Sequence, residues 1–165
     1  LAAFALAHEY ILDVNIIKNA IEKYHGVGRR FEYLGKYNGA YIYDDYAHHP
    51  SEIKTTLESV KSVKHKSSWA VFQSHTYSRT KEHLDAFADV LANFDHVIIA
   101  KIYPAREINT FNISEEMLVD KIKDKNPNVI YIDDFDKIVE FLKENVKEED
   151  LVITIGAGPI KKLVD

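Results

Sequence analysis

The chain has 165 residues, 46% of them hydrophobic and 28% charged, which supports one core of ordinary domain size and argues against intrinsic disorder. Lys and Arg number 21 against 26 Asp and Glu, a net charge of −5, which excludes a general attraction for nucleic acid or an anionic membrane surface while leaving room for a local basic pocket. No run approaches the roughly 18 apolar residues a membrane helix needs, and with no cysteine disulfide and thiolate chemistry are excluded.

Residues 1–12 are predicted as a helix, with Leu1, Phe4, Ala5 and Ile11 near helical spacing. Asp13 is placed to cap a second helix that buries Ile16, Ile17, Ala20, Ile21 and Tyr24, and Gly26 to close it. Gly26 to Arg30 then forms a basic, flexible connector and a candidate domain boundary. Beyond it the period changes. Phe31–Tyr37 and Ala40–Tyr43, joined by Asn38-Gly39, predict a hairpin, because Asn-Gly accepts the positive φ angles of a two-residue turn. Apolar or β-branched runs follow at Trp69–Phe72, Val97–Ile102, Val129–Ile132 and Leu151–Ile155. Helical stretches near 51–63, 80–93, 114–125 and 135–147 lie between them, with Ser114 and Asp134 as capping residues for the last two. Apolar strands alternating with helices predict an α/β fold with a doubly wound, mostly parallel sheet. The chain starts at Leu1 within one helical pattern and ends at Lys161–Asp165 within another, so it is expected to be a piece of a longer protein.

In such sheets ligands bind in the crevice at the carboxyl ends of the strands, and there the chemistry collects. The first parallel strand is followed by Asp44-Asp45-Tyr46-Ala47-His48-His49-Pro50, and the next by Gln73-Ser74-His75-Thr76-Tyr77-Ser78-Arg79-Thr80. The third leads to Tyr103-Pro104-Ala105-Arg106-Glu107 and the last to Gly156-Ala157-Gly158. The opposite ends are plainer. Each piece has more than one reading. Asp44-Asp45 can end a strand and Pro50-Ser51-Glu52 start a helix. A strand-end carboxylate also suits the hydroxyl pair of a ribose. Adjacent His48 and His49, with Asp45 and His75, fit a metal-dependent hydrolase, although no third and fourth ligand stands at useful spacing. Arg79 is either a solvated helix-start residue or a clamp for a carboxylate or phosphate. Gly156-Ala157-Gly158 lacks the third glycine of a dinucleotide fingerprint and fits tight strand-to-helix packing as well as ligand approach. No Gly-x-x-x-x-Gly-Lys-Ser/Thr loop is present, so a nucleotide triphosphate would find its phosphate cradle in another part of the protein.

Taken together, Gly26-Val27-Gly28-Arg29-Arg30-Phe31-Glu32 and the Asp44–Glu52, Phe72–Thr80, Ile102–Glu107 and Gly156–Gly158 segments resemble the Mur ligase C-terminal domain over nearly the whole chain. The His75–Thr80 block is similar to the member of that family that joins L-alanine to UDP-N-acetylmuramate. The resemblance implies a cytoplasmic, ATP-dependent ligase of peptidoglycan synthesis, working through an acyl phosphate with Mg held mainly by a domain not in this chain. It implies that residues 1–29 are the helical tail and linker of the preceding ATPase domain, and 30–165 the C-terminal domain, inactive alone. Arg30 and Asp45 would contact the ATP ribose; Tyr46, His48, His75, Arg79, Tyr103 and Arg106 would line the amino-acid end. No metal ligand and no catalytic residue is expected in the chain by itself. Thr76 stands where many relatives carry Arg, leaving more of the carboxylate-binding task to Arg79 or Arg106. Without the parent domain, the two N-terminal helices would expose apolar faces suited to self-association. A non-catalytic nucleotide-binding module is the remaining alternative.

Overall fold

The computed structural model describes residues 2–10, 13–24 and 27–164. Helices α1 (Ala2–Glu9) and α2 (Val14–Glu22) come first. Asp13 caps α2 as expected, its carboxylate accepting from Asn15 N at 2.8 Å and Ile16 N at 3.4 Å. The burial expected of α2 fails. Only Ile17 is buried, whereas Ile16, Ile21 and Tyr24 are 62%, 48% and 63% exposed, because no other layer covers the rest of that face. Leu1, Ile11 and Gly26, to which the sequence assigned roles in these helices, lie outside the described residues.

The remainder is a six-stranded sheet in the order β1-β2-β6-β3-β4-β5. Strands β1 (Glu32–Tyr37) and β2 (Ala40–Asp45) form the predicted antiparallel hairpin, with Asn38 at φ 48° and Gly39 at φ 85° in its turn. Strands β3 (Ser68–Phe72), β4 (His96–Ala100), β5 (Val129–Ile132) and β6 (Leu151–Ile155) all run parallel to β2. The chain steps outward from β2 through β3, β4 and β5, then returns to insert β6 between β2 and β3.

Two-residue periodicity divides each central strand between two cores. Ala70, Phe72, Val97, Ile99, Leu151, Ile153 and Ile155 face a layer built from α3 (Pro50–Ser62), α5 (Leu84–Leu91) and α6 (Glu115–Lys123). Trp69, Val71, Ile98, Ala100 and Val152 face α7 (Phe135–Asn145) and a terminal 3₁₀ turn, Pro159–Leu163. Burial on both faces is why these strands read as unbroken apolar runs.

Two expected elements are corrected. The helix expected at 80–93 is two, α4 (Tyr77–Glu82) and α5, broken at His83 (φ −110°, ψ 20°). The break lets α4 follow the rim of the sheet while α5 turns to bury Leu84, Phe87, Ala88 and Leu91. Ser114 precedes α6 but makes no side-chain cap; the Glu115 carboxylate instead accepts from Ile102 N at 2.8 Å. Asp134 caps α7 as expected, accepting from Asp136 N and Lys137 N. Among the described residues no helix is long and apolar enough to cross a membrane.

Candidate functional site

Parallel pairing brings the carboxyl ends of the strands level: Asp45 lies opposite Ile155, Ile155 opposite Phe72, and Phe72 opposite Ile99. The loops beyond them stay joined. Gly156 N donates to Asp45 O and Gln73 N to Ile155 O, both at 3.0 Å. Gln73 Nε2 donates to Lys101 O at 3.0 Å, Tyr103 N to Ser74 O and Thr76 N to Tyr103 O, both at 2.9 Å. The turns beginning at Asp44, Gln73 and Tyr103 therefore share one rim. Gly156 is required there: its φ is +152°, and a Cβ would stand 2.7 Å from Gln73 O. A Cβ on Gly158 would stand 2.5 Å from Gln73 Oε1, the one buried side-chain polar atom without a partner among the described residues. Gly156-Ala157-Gly158 thus serves close packing.

The paired aspartates separate by strand alternation, one to each face of the sheet. Asp45 points toward α3 and is 6% exposed. Its Oδ2 accepts from Phe31 N at 3.0 Å and Thr56 Oγ1 at 3.2 Å, and its Oδ1 from Ala47 N at 2.9 Å. Asp44 is fully buried, accepting from Thr154 Oγ1 at 2.6 Å and from Arg29 Nε at 2.9 Å. A buried carboxylate needs such a cationic partner to offset its lost hydration. Arg29 also donates from Nη2 to Gly156 O at 2.7 Å and stacks over the Tyr46 ring at 4.8 Å. Arg29 at φ 60° and Phe31 at φ 46° show how sharply the connector turns to bring this about. Sequence reasoning assigned Arg29 no role. The signal was present in two consecutive arginines set against a carboxylate at the end of a buried strand.

The sequence-predicted binding residues form a contiguous series across the rim. Arg30 lies with Cζ 5.9 Å from the Tyr46 ring centre. Tyr46 meets His48 edge-on at 5.3 Å, His48 meets His75 at 6.2 Å, and His75 meets Tyr103 at 5.6 Å. His48 Nδ1 lies 3.0 Å from Tyr46 O and 3.5 Å from Glu52 Oε2, two acceptors that assign that nitrogen a proton. Arg79 Nη1 donates to His75 Nδ1 at 3.2 Å, so His75 presents Nε2–H instead. Burial, then Arg79 and His48, hold the His75 pKa below its ordinary value. A neutral His75 leaves the Arg79 charge undiluted at neutral pH. Thr76, at φ 69° and ψ 147°, occupies backbone space that a β-branched residue rarely adopts and that costs about 1–3 kcal/mol. Arg106 stands apart, exposed and without a hydrogen bond or ion pair among the described residues.

The metal-hydrolase reading of Asp45, His48, His49 and His75 is corrected by this geometry. His49 caps α3: Ser51 N donates to its Nδ1 at 3.3 Å, and its ring packs edge-on against His83 at 4.7 Å. Asp45 gives three of its acceptor positions to donors of the chain itself, Phe31 N, Thr56 Oγ1 and Ala47 N. No group of three His, Asp or Glu side chains suited to a metal ion occurs among the described residues.

Comparison with known proteins matches nearly the whole chain. The profile of the family described as Mur ligase, glutamate ligase domain, matches residues 29–158. The chain is 46% identical over 163 residues to the UDP-N-acetylmuramate–L-alanine ligase of Lachnospira eligens, covering 99% of this chain and 36% of that protein. It is 49% identical over 160 residues to the protein of the same name from Caldanaerobacter subterraneus subsp. tengcongensis, covering 97% and 35%. The crystal structure of UDP-N-acetylmuramate-alanine ligase from Thermotoga maritima superposes with a TM-score of 0.79 at 25% identity, over 98% of this chain and 34% of that one. The chain thus spans about a third of the length of the curated relatives it matches.

Proposed function

The chain belongs to the Mur ligase family, and from that premise we propose that it is the C-terminal, substrate-closing domain of a cytoplasmic ATP-dependent ligase that joins L-alanine to UDP-N-acetylmuramate. In this reaction ATP phosphorylates the sugar-acid carboxylate, the alanine amine attacks the acyl phosphate, and phosphate leaves as the amide forms. The phosphate cradle and the ligands for Mg belong to the preceding domain. Residues 1–29 are the tail and linker of that domain, and 30–165 the C-terminal domain. The exposed apolar residues of α1 and α2 and the start of the family match at residue 29 support the division. In the isolated chain the same apolar faces are open to self-association.

The observation that carries the reading is the contiguous series from Arg30 through Tyr46, His48 and His75 to Arg79 and Tyr103 on one edge of the sheet. Its two ends suit two tasks. Arg30 is exposed and offers a fork of donors to the ATP ribose. Asp45 joins it through the acceptor position that Ala47 N leaves on Oδ1. At the other end, Arg79 clamps the alanine carboxylate with a charge that never titrates, inside a wall of Tyr46, His48, His75 and Tyr103. Arg106, exposed on the same loop as Tyr103, is the second arginine proposed for this end. Closing these groups over the reactants orients the amine and keeps water from the acyl phosphate.

The test is phosphate release by the whole protein, which should require ATP, UDP-N-acetylmuramate and L-alanine together, while this chain alone turns over none. In the whole protein Arg79→Ala should raise the KM for alanine about 10- to 100-fold with little change for ATP. An equal loss toward ATP would remove Arg79 from the amino-acid end.

A further inference from the structure

Glu107 is outside the set assigned above to nucleotide or amino acid, yet it joins the two loops that carry the amino-acid end. Its Oε2 accepts from Ser78 N at 2.9 Å and its Oε1 from Ser78 Oγ at 2.5 Å. Ser78 lies in the first turn of α4, immediately before Arg79. The free N–H groups of a helix start are natural partners for a carboxylate, and here the carboxylate comes from the loop after β4. Glu107 N in turn donates to Pro104 O at 2.9 Å, closing a turn that holds Ala105 at φ 53°.

A second attachment runs beside the first, through Thr76 N to Tyr103 O and Tyr103 N to Ser74 O. The two ties bracket Thr76, and a residue in so unfavourable a conformation persists only where its surroundings over-determine it. Helix α4 has six residues, too few to hold its own orientation without tertiary support. Its internal cap is weak, since Arg79 N reaches Thr76 Oγ1 only at 3.5 Å.

We infer that Glu107 is a positioning residue for the amino-acid end of the site, capping α4 from the neighbouring loop and so holding Arg79 and Tyr103 at a set separation. The inference rests on the ligase reading for the identity of the group that Arg79 clamps. The Ser78 hydroxyl and N–H hold the Glu107 carboxyl below the ordinary carboxylate range, so the cap carries a full charge at neutral pH. That charge faces His75 together with Arg79 and His48, and opposes the lowering they cause.

Two substitutions separate geometry from charge. Glu107→Ala removes the tie; Glu107→Gln keeps the length, an acceptor for Ser78 N and a donor for Ser78 Oγ. In the whole protein Glu107→Ala should raise the KM for alanine about tenfold with the KM for ATP within about twofold, and Glu107→Gln should stay within about threefold of wild type for both. Equal rises for the two substrates, or none, would overturn the inference. In this chain both variants should move the His75 titration, followed by NMR, to lower pH, because both lose the charge; an unmoved titration overturns it as well. A wild-type whole protein without alanine-dependent turnover would sink the ligase reading alone, and the His75 titration would still decide whether the Glu107 charge stands beside the loop that carries Arg79.

Discussion

The two ends of the same sheet are built on opposite terms. At the amino end every strand start is closed by its neighbours. Trp69 Nε1 donates to Asp150 Oδ2 at 3.2 Å and stacks on His96 at 3.9 Å. Ser68 N and Oγ both donate to Asp95 Oδ2, at 2.8 and 2.7 Å. Asn126 Nδ2 donates to Phe94 O at 2.6 Å, joining the entries to β4 and β5. At the carboxyl end, Tyr46, Arg30 and Tyr103 are exposed, Gln73 Oε1 has no partner, and Thr76 is strained. One end spends its polar groups on the fold. The other holds a row of rings and guanidinium groups in place by sacrificing satisfaction and backbone comfort, which is where functional sites break local rules.

Substitution at each end should separate these roles, and the largest effect on stability belongs to the amino end. Trp69→Ala removes a buried ring and its bond to Asp150 and should cost about 3–5 kcal/mol in chemical denaturation, while leaving alanine and ATP constants of the folded whole protein near wild type. A comparable loss of substrate affinity without loss of stability would break the division between the ends.

At the carboxyl end, Asp45 and Arg30 sharpen it. Asp45→Ala leaves Phe31 N and Ala47 N without their acceptor and should cost about 2–3 kcal/mol. Arg30→Ala should change stability by less than about 0.5 kcal/mol and instead raise the KM for ATP in the whole protein. If Arg30→Ala leaves the ATP constants unchanged, the ribose assignment fails. Asp45 alone does not test it, because the same carboxylate holds the loop.

The smallest effect is electrostatic. His75 binds its proton less readily folded than unfolded, because burial and then Arg79 lower its pKa. The unfolded chain therefore holds more protons between that lowered value and the ordinary 6.5, and stability rises with pH across the interval, then levels off above it. Solvent screening of a partly exposed ring keeps the slope shallow. Unfolding free energies of wild type and His75→Gln, compared from pH 5 to 8, should differ in slope only below the ordinary histidine range.

Much of the architecture was legible in the residues. Asn38-Gly39 specifies its turn because few other pairs accept positive φ twice. The apolar runs Trp69–Phe72 and Leu151–Ile155 announce strands covered on both faces, and the crowding of ionisable groups after each strand marks the candidate functional edge. The failures have local causes. Ile16, Ile21 and Tyr24 carry helical spacing that signals burial, but periodicity does not say whether a partner layer is present in the same chain. The single helix expected at 80–93 had no Gly or Pro to mark its break at His83, which arises because α4 and α5 serve different surfaces.

The order of the residues alone determined which side chains stand after which strand, since covalent spacing and a period of two or 3.6 residues suffice for that. Only the folded sheet decided which partners adjacent Asp44 and Asp45 meet on their opposite faces, that Arg29 reaches across to Gly156, and that Glu107 caps a helix 29 positions before it. Each of those facts is a contact between distant parts of the chain, made possible when β6 enters between β2 and β3 and the strand ends come level.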